Sequence, residues 1–167
     1  GDGFKIDAIV PTLANASTDR AKYSKTEGYN LVTLKFDLSE DVGAGLSVKL
    51  SGEDMTCNAY QPGARDNHTC TYNATTSSQS EGTKNIIITA TDAAGNSATS
   101  SVAVAFDFTK PTIITAGVTP LHAKEGQKIY YELTPDEPLA SVPDFTALGP
   151  SQLNFFYVGG TAYKFMH

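Results

Sequence analysis

Residues 85–106, NIIITATDAAGNSATSSVAVAF, decide the fold class of this chain. Ile86, Ile88 and Ala90 point one way at a period of two, as do Val102, Val104 and Phe106, and this period is typical of a β-strand with one buried face. Between the two runs, Gly95 and Asn96 can adopt positive φ angles at little cost, as a tight hairpin requires. The stretch therefore predicts two antiparallel strands joined by a turn.

The same alternation recurs upstream in three shorter runs, 32–38, 46–50 and 70–74. Turn-forming residues separate the runs, and helical periodicity is nearly absent from the chain. Short alternating strands with frequent turns are typical of antiparallel sandwiches and barrels. We therefore expect an all-β fold in which two antiparallel sheets cover one core.

The composition fits a strand-rich chain with few charges. Of 167 residues, 40% are hydrophobic and 18% are charged, against about 25% charged in typical soluble proteins. The 20 threonines and 13 serines supply polar strand faces. A net charge of −6 argues against nucleic acid as a partner, and no stretch has the ~20 apolar residues of a membrane helix. We expect neither nucleic-acid binding nor membrane insertion in this segment.

An internal repeat divides the chain. Val10-Pro11-Thr12 recurs as Lys110-Pro111-Thr112, and Glu27-Gly28 before a strand recurs as Glu125-Gly126 before a strand. These pairs are 100 and 98 residues apart, and such self-similarity indicates a repeated structural unit. The repeat predicts two tandem domains, residues 1–107 and residues 108–167.

The second copy has counterparts for only some of the strands in the first. Alternating runs occur at 128–133, 153–158 and 161–166, but none corresponds to the hairpin at 85–106. We therefore expect the second domain to lack its last strands. We also expect the chain to be an excised piece of a longer protein.

The turn Thr91-Asp92-Ala93-Ala94-Gly95-Asn96 and the linker Asp107-Phe108-Thr109-Lys110-Pro111-Thr112 carry a family resemblance. Together they resemble the recurrent signature of bacterial immunoglobulin-like (Ig-like) repeats, over the first copy and the opening half of the second. The resemblance implies tandem Ig-like β-sandwiches in a large secreted or surface-anchored protein, often an adhesin. It is not a match to antibody domains, because those pair two distant cysteines across a Trp and this chain has no Trp.

This resemblance implies a non-catalytic structural or adhesive segment, a stalk or fibre repeat, that is secreted or exposed at the cell surface. Its partners would be neighbouring repeats of the same chain and, beyond them, another protein or a surface glycan. Two alternatives stay open. The chain could be an accessory or carbohydrate-binding module of a secreted enzyme, or an assembly subunit completed by a neighbouring chain's strand.

Two cysteines, Cys57 and Cys70, predict a disulfide. Cys57 ends one alternating segment and Cys70 begins the next, with Pro62 and Gly63 in the loop between them. The two should therefore lie close together across a hairpin, and small secreted domains commonly use such a bond. Two thiolates without matching His or Cys residues would make only half of a zinc site.

Three histidines give no sign of an active site. His68 lies in the loop between the cysteines, His122 lies early in the second copy, and His167 is the last residue. No nucleophile-elbow, zinc-protease or phosphate-loop motif accompanies them. We expect surface histidines and no enzymatic activity.

Four acidic residues raise the question of calcium: Asp92, Asp107, Asp136 and Glu137. They lie at predicted strand ends or near the domain junction, where some Ig-like adhesin repeats bind calcium. Calcium needs six to eight oxygen ligands, and no Asp-x-Asp-x-Asp loop supplies them locally. The sequence favours turn-capping and solvated acids without a cofactor, with calcium as the alternative.

Aromatic residues cluster around Gly159-Gly160 in the second copy. They are Phe155, Phe156, Tyr157, Tyr163 and Phe165. Aromatic rings could form a sugar-stacking face, but alternation places half of them in the core of a complete domain. The sequence favours core packing over a carbohydrate site.

Overall fold

The computed structural model describes residues 6–139, 141, 143, 154–159 (backbone) and 162–166. The chain divides into two compact units, Gly1–Phe108 and Thr109–His167, which we call unit 1 and unit 2. The sequence repeat places the division one residue earlier, between 107 and 108. Phe108 lies with unit 1 because its ring stacks on Phe106 at a centroid distance of 5.5 Å.

The described residues of unit 1 form nine strands, numbered in chain order. They are β1 (Leu13–Thr18), β2 (Lys22–Tyr23), β3 (Leu31–Leu38), β4 (Leu46–Leu50), β5 (Glu53–Asp54), β6 (Thr56–Cys57), β7 (His68–Asn73), β8 (Gly82–Thr91) and β9 (Ser97–Phe106). A single 3₁₀ turn, Gly43–Gly45, precedes β4, and the described residues contain no α-helix. The prediction of an all-β fold is confirmed.

The nine strands form two sheets. The first sheet has the order β1-β3-β7-β6, and the second has the order β2-β9-β8-β4-β5. Neighbouring strands are antiparallel, as predicted, except that β2 runs parallel to β9, with Lys22 opposite Ala105 and Tyr23 opposite Phe106. Alternation alone does not distinguish parallel from antiparallel pairing, so the sequence did not predict this short contact.

One hydrophobic core lies between the two sheets. Val32, Leu34 and Phe36 of β3 are fully buried, as are Ile86 and Ile88 of β8, and both sets belong to one cluster. Each such side chain contributes about 1.5–3 kcal/mol by leaving water. Unit 1 is therefore sandwich-like, and the alternation in the sequence does separate inward from outward side chains.

The first two strands of unit 1 carry no visible alternation. β1, LANAST, is largely exposed, and its pairing with β3 shifts register between Ala14 and Ser17, where Asn15 has a φ of 54°. A bulge breaks the period of two, so the sequence signal of a strand disappears. β2 has only two residues and is too short for a period to be recognised.

The loop between β3 and β4 crosses from the first sheet to the second and passes close to β8. A Cβ atom at Gly45 would lie 1.8 Å from the backbone oxygen of Thr91. No side chain can occupy that space, so position 45 requires glycine. The close approach brings β4 into register with β8, with Leu46 opposite Ala90.

Unit 2 is described as one four-stranded antiparallel sheet. Its strands are β10 (Ile113–Thr119), β11 (Tyr130–Pro135), β12 (Asn154–Gly159) and β13 (Ala162–Met166), in the order β10-β11-β13-β12. Leu133, Tyr163 and Phe165 form its buried cluster. Three of the strands lie within two residues of the predicted runs. β10 was not predicted, because IITAGVT lacks alternation and is almost entirely exposed.

Both units begin with the same hydrogen-bonded connection, which we call the entry clasp. In unit 1, the Ser39 N–H donates to the Thr12 oxygen (3.1 Å) and the Thr12 N–H donates to Ser39 Oγ (3.0 Å). In unit 2, the Asp136 N–H donates to the Thr112 oxygen (2.9 Å) and the Thr112 N–H donates to Asp136 Oδ1 (2.9 Å). The residues that repeat in the sequence therefore make the same backbone connection twice.

The first strand pair also corresponds between the units. Leu13 of β1 lies opposite Leu38, and Ile113 of β10 lies opposite Pro135. In each pair the register shifts shortly after this contact. The strand order β1-β3-β7-β6 of unit 1 is matched by β10-β11-β13-β12 of unit 2.

Candidate functional site

Three loops of unit 1 meet at one end of the sandwich, and we call them the end-loop surface. They are residues 39–45, 58–67 and 92–96. β7 begins beside the end of β3, since His68 lies opposite Phe36, and β4 begins beside the end of β8, since Leu46 lies opposite Ala90. Loop 39–45 joins these two places. Loops held by rigid sheets are common positions for binding residues.

Loop 58–67 is closed at its base by the predicted disulfide. Cys57 and Cys70 lie directly opposite each other on β6 and β7, with their Cα atoms 3.9 Å apart. Their separation of 13 residues corresponds to a stabilisation of about 3 kcal/mol in the loop-entropy model. Such a bond persists in oxidising compartments.

Asn67 fixes the same loop to β3. Its side chain is buried, with Oδ1 accepting from the Leu38 N–H (2.9 Å) and Nδ2 donating to the Leu38 oxygen (2.9 Å). The Asn67 N–H also donates to Asp37 Oδ1 at 3.2 Å. The amide therefore continues the hydrogen-bond ladder of β3 by one step. The sequence did not indicate this role, because Asn in a polar loop is ordinarily solvated.

His68 is buried, so the expectation of a surface histidine is wrong for this residue. The side chain is 4% exposed, and neither ring nitrogen has a hydrogen-bond partner. The ring stacks on Phe36 at a centroid distance of 5.2 Å and contacts Tyr60 at 5.6 Å. Desolvation lowers the pKa of His68 below its ordinary value of 6.5, against smaller opposing effects of the Asn58 backbone and the Asp41 charge.

The other two histidines belong to unit 2. His122 is exposed in unit 2. His167 lies outside the described residues. A buried histidine at position 68 was detectable in principle, because it precedes Cys70 by two residues and so shares the inward face of β7.

Loop 92–96 is held by Asp92, as the sequence predicted. Asp92 Oδ1 accepts hydrogen bonds from the N–H groups of Ala94 and Asn96, both at 2.8 Å. Asp92 Oδ2 accepts from Asn96 Nδ2 at 2.7 Å, and this side-chain bond is the main reason that the pKa of Asp92 lies below its ordinary value. Gly95 supplies the positive φ of the turn, at 92°.

The outer part of loop 58–67 is open to solvent. Residues 61–65, QPGAR, are all exposed, and Arg65 is the charged side chain among them. The disulfide, Asn67 and His68 hold the base of the loop, so its tip has little freedom to lose on binding. A pre-organised, exposed tip is suited to contact with another molecule.

Three of the four acids considered for calcium are paired with other groups. Asp92 caps a turn at the end-loop surface, whereas Asp107 follows β9 at the opposite end, with Lys22 Nζ 3.4 Å from its Oδ2. Asp136 forms the entry clasp of unit 2, and its bonds from Thr112 lower its pKa. Half-buried Glu137 follows it. In the part of the chain that the structure describes, no group of three or more His, Cys, Asp or Glu residues could hold a metal ion.

The aromatic cluster of unit 2 contains core residues. Tyr163 and Phe165 are 7% and 4% exposed and pack with Leu133, so their rings do not present a sugar-stacking face. The side chains of Phe155, Phe156 and Tyr157 lie outside what the structure describes.

A shallow depression, which the sequence did not indicate, lies beside β2 in unit 1. Its lining residues are Arg20, Ala21, Lys22, Gly28 and Tyr29. The Arg20 guanidinium lies 4.9 Å from the centroid of the Tyr29 ring and donates to the Gly28 oxygen at 2.8 Å. Tyr29 itself remains 47% exposed. The depression thus combines an accessible aromatic ring with two cationic side chains.

Comparison with known proteins does not place the chain in a family. No protein-family model, curated protein or solved structure matches it. Among the described residues, no helix has the length and apolar character needed to cross a bilayer.

Proposed function

We propose that the chain is a pair of tandem Ig-like repeats, the second without its last strands, that forms a non-catalytic structural and adhesive segment of a secreted or cell-surface protein. The strand order supports the Ig-like assignment. Ig sandwiches place strands A, B, E and D in one sheet and C, F and G in the other. If the strands are lettered along the chain and the two-residue strands β2 and β5 are left out, the sheet order β1-β3-β7-β6 corresponds to A-B-E-D, and β9-β8-β4 corresponds to G-F-C. The repeated entry clasp supports a tandem arrangement.

The observation that carries the structural role is the parallel pairing of β2 with β9. Unit 1 is entered near β1 and β2 and is left through β9. Because β2 and β9 run in the same direction, pulling the two chain ends apart shears their contacts together instead of opening them one at a time. This geometry suits a segment that bears tension in a stalk.

Several contacts lie in that sheared region. The Ala105 N–H donates to the Ala21 oxygen (3.0 Å), and the Asp107 N–H donates to the Tyr23 oxygen (2.9 Å). The Tyr23 ring is buried, and its hydroxyl donates to Asp19 Oδ1 at 2.6 Å. The segment of β2 is therefore held to β9, the last strand of unit 1, by backbone bonds, and a buried side chain anchors it.

The adhesive part of the proposal concerns the end-loop surface. Its loops are fixed at their bases by a disulfide, by the Asn67 amide and by the Asp92 cap, while residues 61–65 remain exposed. This surface would contact a protein or a surface glycan, and neighbouring repeats of the same chain would continue the stalk.

Single-molecule pulling of the full chain from its two ends tests the structural role. Ala105→Pro removes the N–H that bonds to β2 and should lower the force at which unit 1 unfolds. Ala103→Pro is the matched control, because it introduces proline into the same strand where β2 does not pair. Equal forces for the two variants would contradict the proposal that the β2–β9 contact resists tension.

The depression beside β2 favours a second candidate, an accessory module that binds carbohydrate. The half-exposed Tyr29 ring could stack on a sugar. Arg20 and Lys22, which are paired with Asp19 and Asp107, could exchange these partners for acidic groups of the sugar. Retention of the full chain on a panel of neutral and acidic polysaccharides tests this role. Binding that Tyr29→Ala abolishes supports it, and the absence of retention by the unmodified chain removes it.

A further inference from the structure

His68 is an unusual histidine in unit 1. The residue is 4% exposed, and both ring nitrogens lack hydrogen-bond partners. Buried polar groups in proteins are nearly always hydrogen-bonded. A neutral ring without partners already incurs a desolvation penalty, and a charged ring in the same place would incur a far larger one.

The surroundings of the ring compensate a positive charge only in part, because the loss of water outweighs the effects of the Asn58 backbone and the Asp41 charge. On one side lies the apolar ring of Phe36 from β3, and on the other lies Tyr60 from loop 58–67. Asp41, in the neighbouring loop, is the carboxylate whose charge acts on the ring. Asp37 follows Phe36 in the chain, but its carboxylate has other partners. It accepts hydrogen bonds from Asn15 Nδ2 and from the Asn67 N–H, and it interacts with the charge of Arg65.

We propose that His68 makes loop 58–67 acid-sensitive: the loop stays closed over a neutral ring and opens when the ring takes up a proton. Loop 58–67 is the element that can move, because it covers the ring through Tyr60 and its outer residues are exposed. β3 and β7 cannot move away from each other without breaking the sheet. The Cys57–Cys70 bond confines the opening to the residues between the two cysteines.

The direction of the pH effect follows from the protonation states. Above the ordinary histidine pKa of 6.5, the ring is neutral in both the closed and the open loop, so closure has its full stability. The closed loop has the lower pKa, so below pH 6.5 the open form binds the proton preferentially and closure weakens. The opening equilibrium should shift by up to tenfold per pH unit in this window.

Hydrogen exchange of the intact, oxidised full chain at pH 7.5 and pH 5.0 tests the proposal, with rates corrected for the intrinsic pH dependence. Amides of loop 58–67 should lose protection at pH 5.0, by up to about thirtyfold over the 1.5 pH units below 6.5, while those of β8 and β9 should not change. His68→Phe preserves the stacking on Phe36 and should abolish the response. His122→Phe, at an exposed position, should leave the response intact.

Two results would overturn the proposal: equal protection of the loop at both pH values, or an unchanged acid response in His68→Phe. If that variant does not fold, an NMR titration of the imidazole in the unmodified chain decides the matter. A His68 ring that is half protonated at pH 6.5 or above contradicts the proposal, and one that stays neutral well below pH 6.5 supports it. This inference does not depend on the proposed function, because it concerns the loop alone.

Discussion

Unit 1 and unit 2 begin alike and differ in how they are stabilised. Each starts with an entry clasp and a bulged pair of strands, and the strand order of the first sheet is the same. Unit 1 adds a second sheet, a large shared core and a disulfide. The described residues of unit 2 form one sheet with a small buried cluster. The repeated sequence therefore specifies how each unit starts, whereas the core and the disulfide should determine how stable unit 1 is.

The largest expected difference between the units is in their cores. Leu34→Ala, at a fully buried position in unit 1, should destabilise unit 1 by about 3–5 kcal/mol, the upper part of the range for such substitutions. Leu133→Ala, in the smaller cluster of unit 2, should cost about 2–3 kcal/mol. Hydrogen exchange at increasing urea concentrations measures the free energy of unfolding of each unit separately. Equal costs at the two positions would remove the contrast in packing.

Removing the disulfide should bring the free energy of unfolding of unit 1 closer to that of unit 2. The double variant Cys57→Ser, Cys70→Ser loses about 3 kcal/mol of loop-closure stabilisation in unit 1, and unit 2 should not change. The denaturation midpoint of each unit measures this effect. A loss of less than about 1 kcal/mol in unit 1 would indicate that Asn67 and His68 alone hold loop 58–67.

A substitution at Gly45 tests the loop that crosses between the two sheets of unit 1. Gly45→Ala places a methyl group against the Thr91 oxygen and should cost about 1–3 kcal/mol, as overpacking does. Gly117→Ala on β10 is the matched control, because a Cβ there meets nothing within 4 Å. Thermal unfolding of both variants checks the difference, and a neutral Gly45→Ala would contradict the close approach.

The smallest expected effect concerns the entry clasps, which differ at Ser39 and Asp136. Thr112 lowers the folded-state pKa of Asp136 below its ordinary value of 3.8. The ionised clasp therefore stabilises unit 2 above about pH 3.8, and this contribution is lost as the pH falls through the lowered value. Asp136→Ser should reduce this acid sensitivity in unit 2, and Ser39→Asp should add it to unit 1. Midpoints measured between pH 6 and pH 3 test both, and unchanged pH profiles would contradict the account.

The sequence predicted the features of this fold that depend on local periodicity. The strands around residues 32–38, 46–50 and 86–106 are buried on one face, so a period of two reveals them. The Cys57–Cys70 bond was also predictable, because the two residues flank a single hairpin loop. The capped turn at Asp92 follows from side-chain chemistry that is local to five residues.

The remaining features depend on contacts between distant parts of the chain. The bulge at Asn15 removes the alternation of β1, and β2 is recognisable only by its pairing with Ala105 and Phe106. The bonds of Asn67 to Leu38 span 29 residues. Local patterns contain no information about such partners, so the sequence could identify loop 58–67 but not the way its base is fixed.

The most direct test of the account is end-to-end pulling of the full chain before and after reduction. We expect two unfolding events, one for each unit. Reduction should lengthen the extension released by unit 1 by about 40 Å and should leave the other event unchanged. This gain is the length of the 13 residues that separate the cysteines, at ~3.3–3.6 Å per extended residue, less the 3.9 Å that the disulfide already spans between the Cα atoms. A single unfolding event, or an unchanged released length after reduction, would contradict the two-unit account.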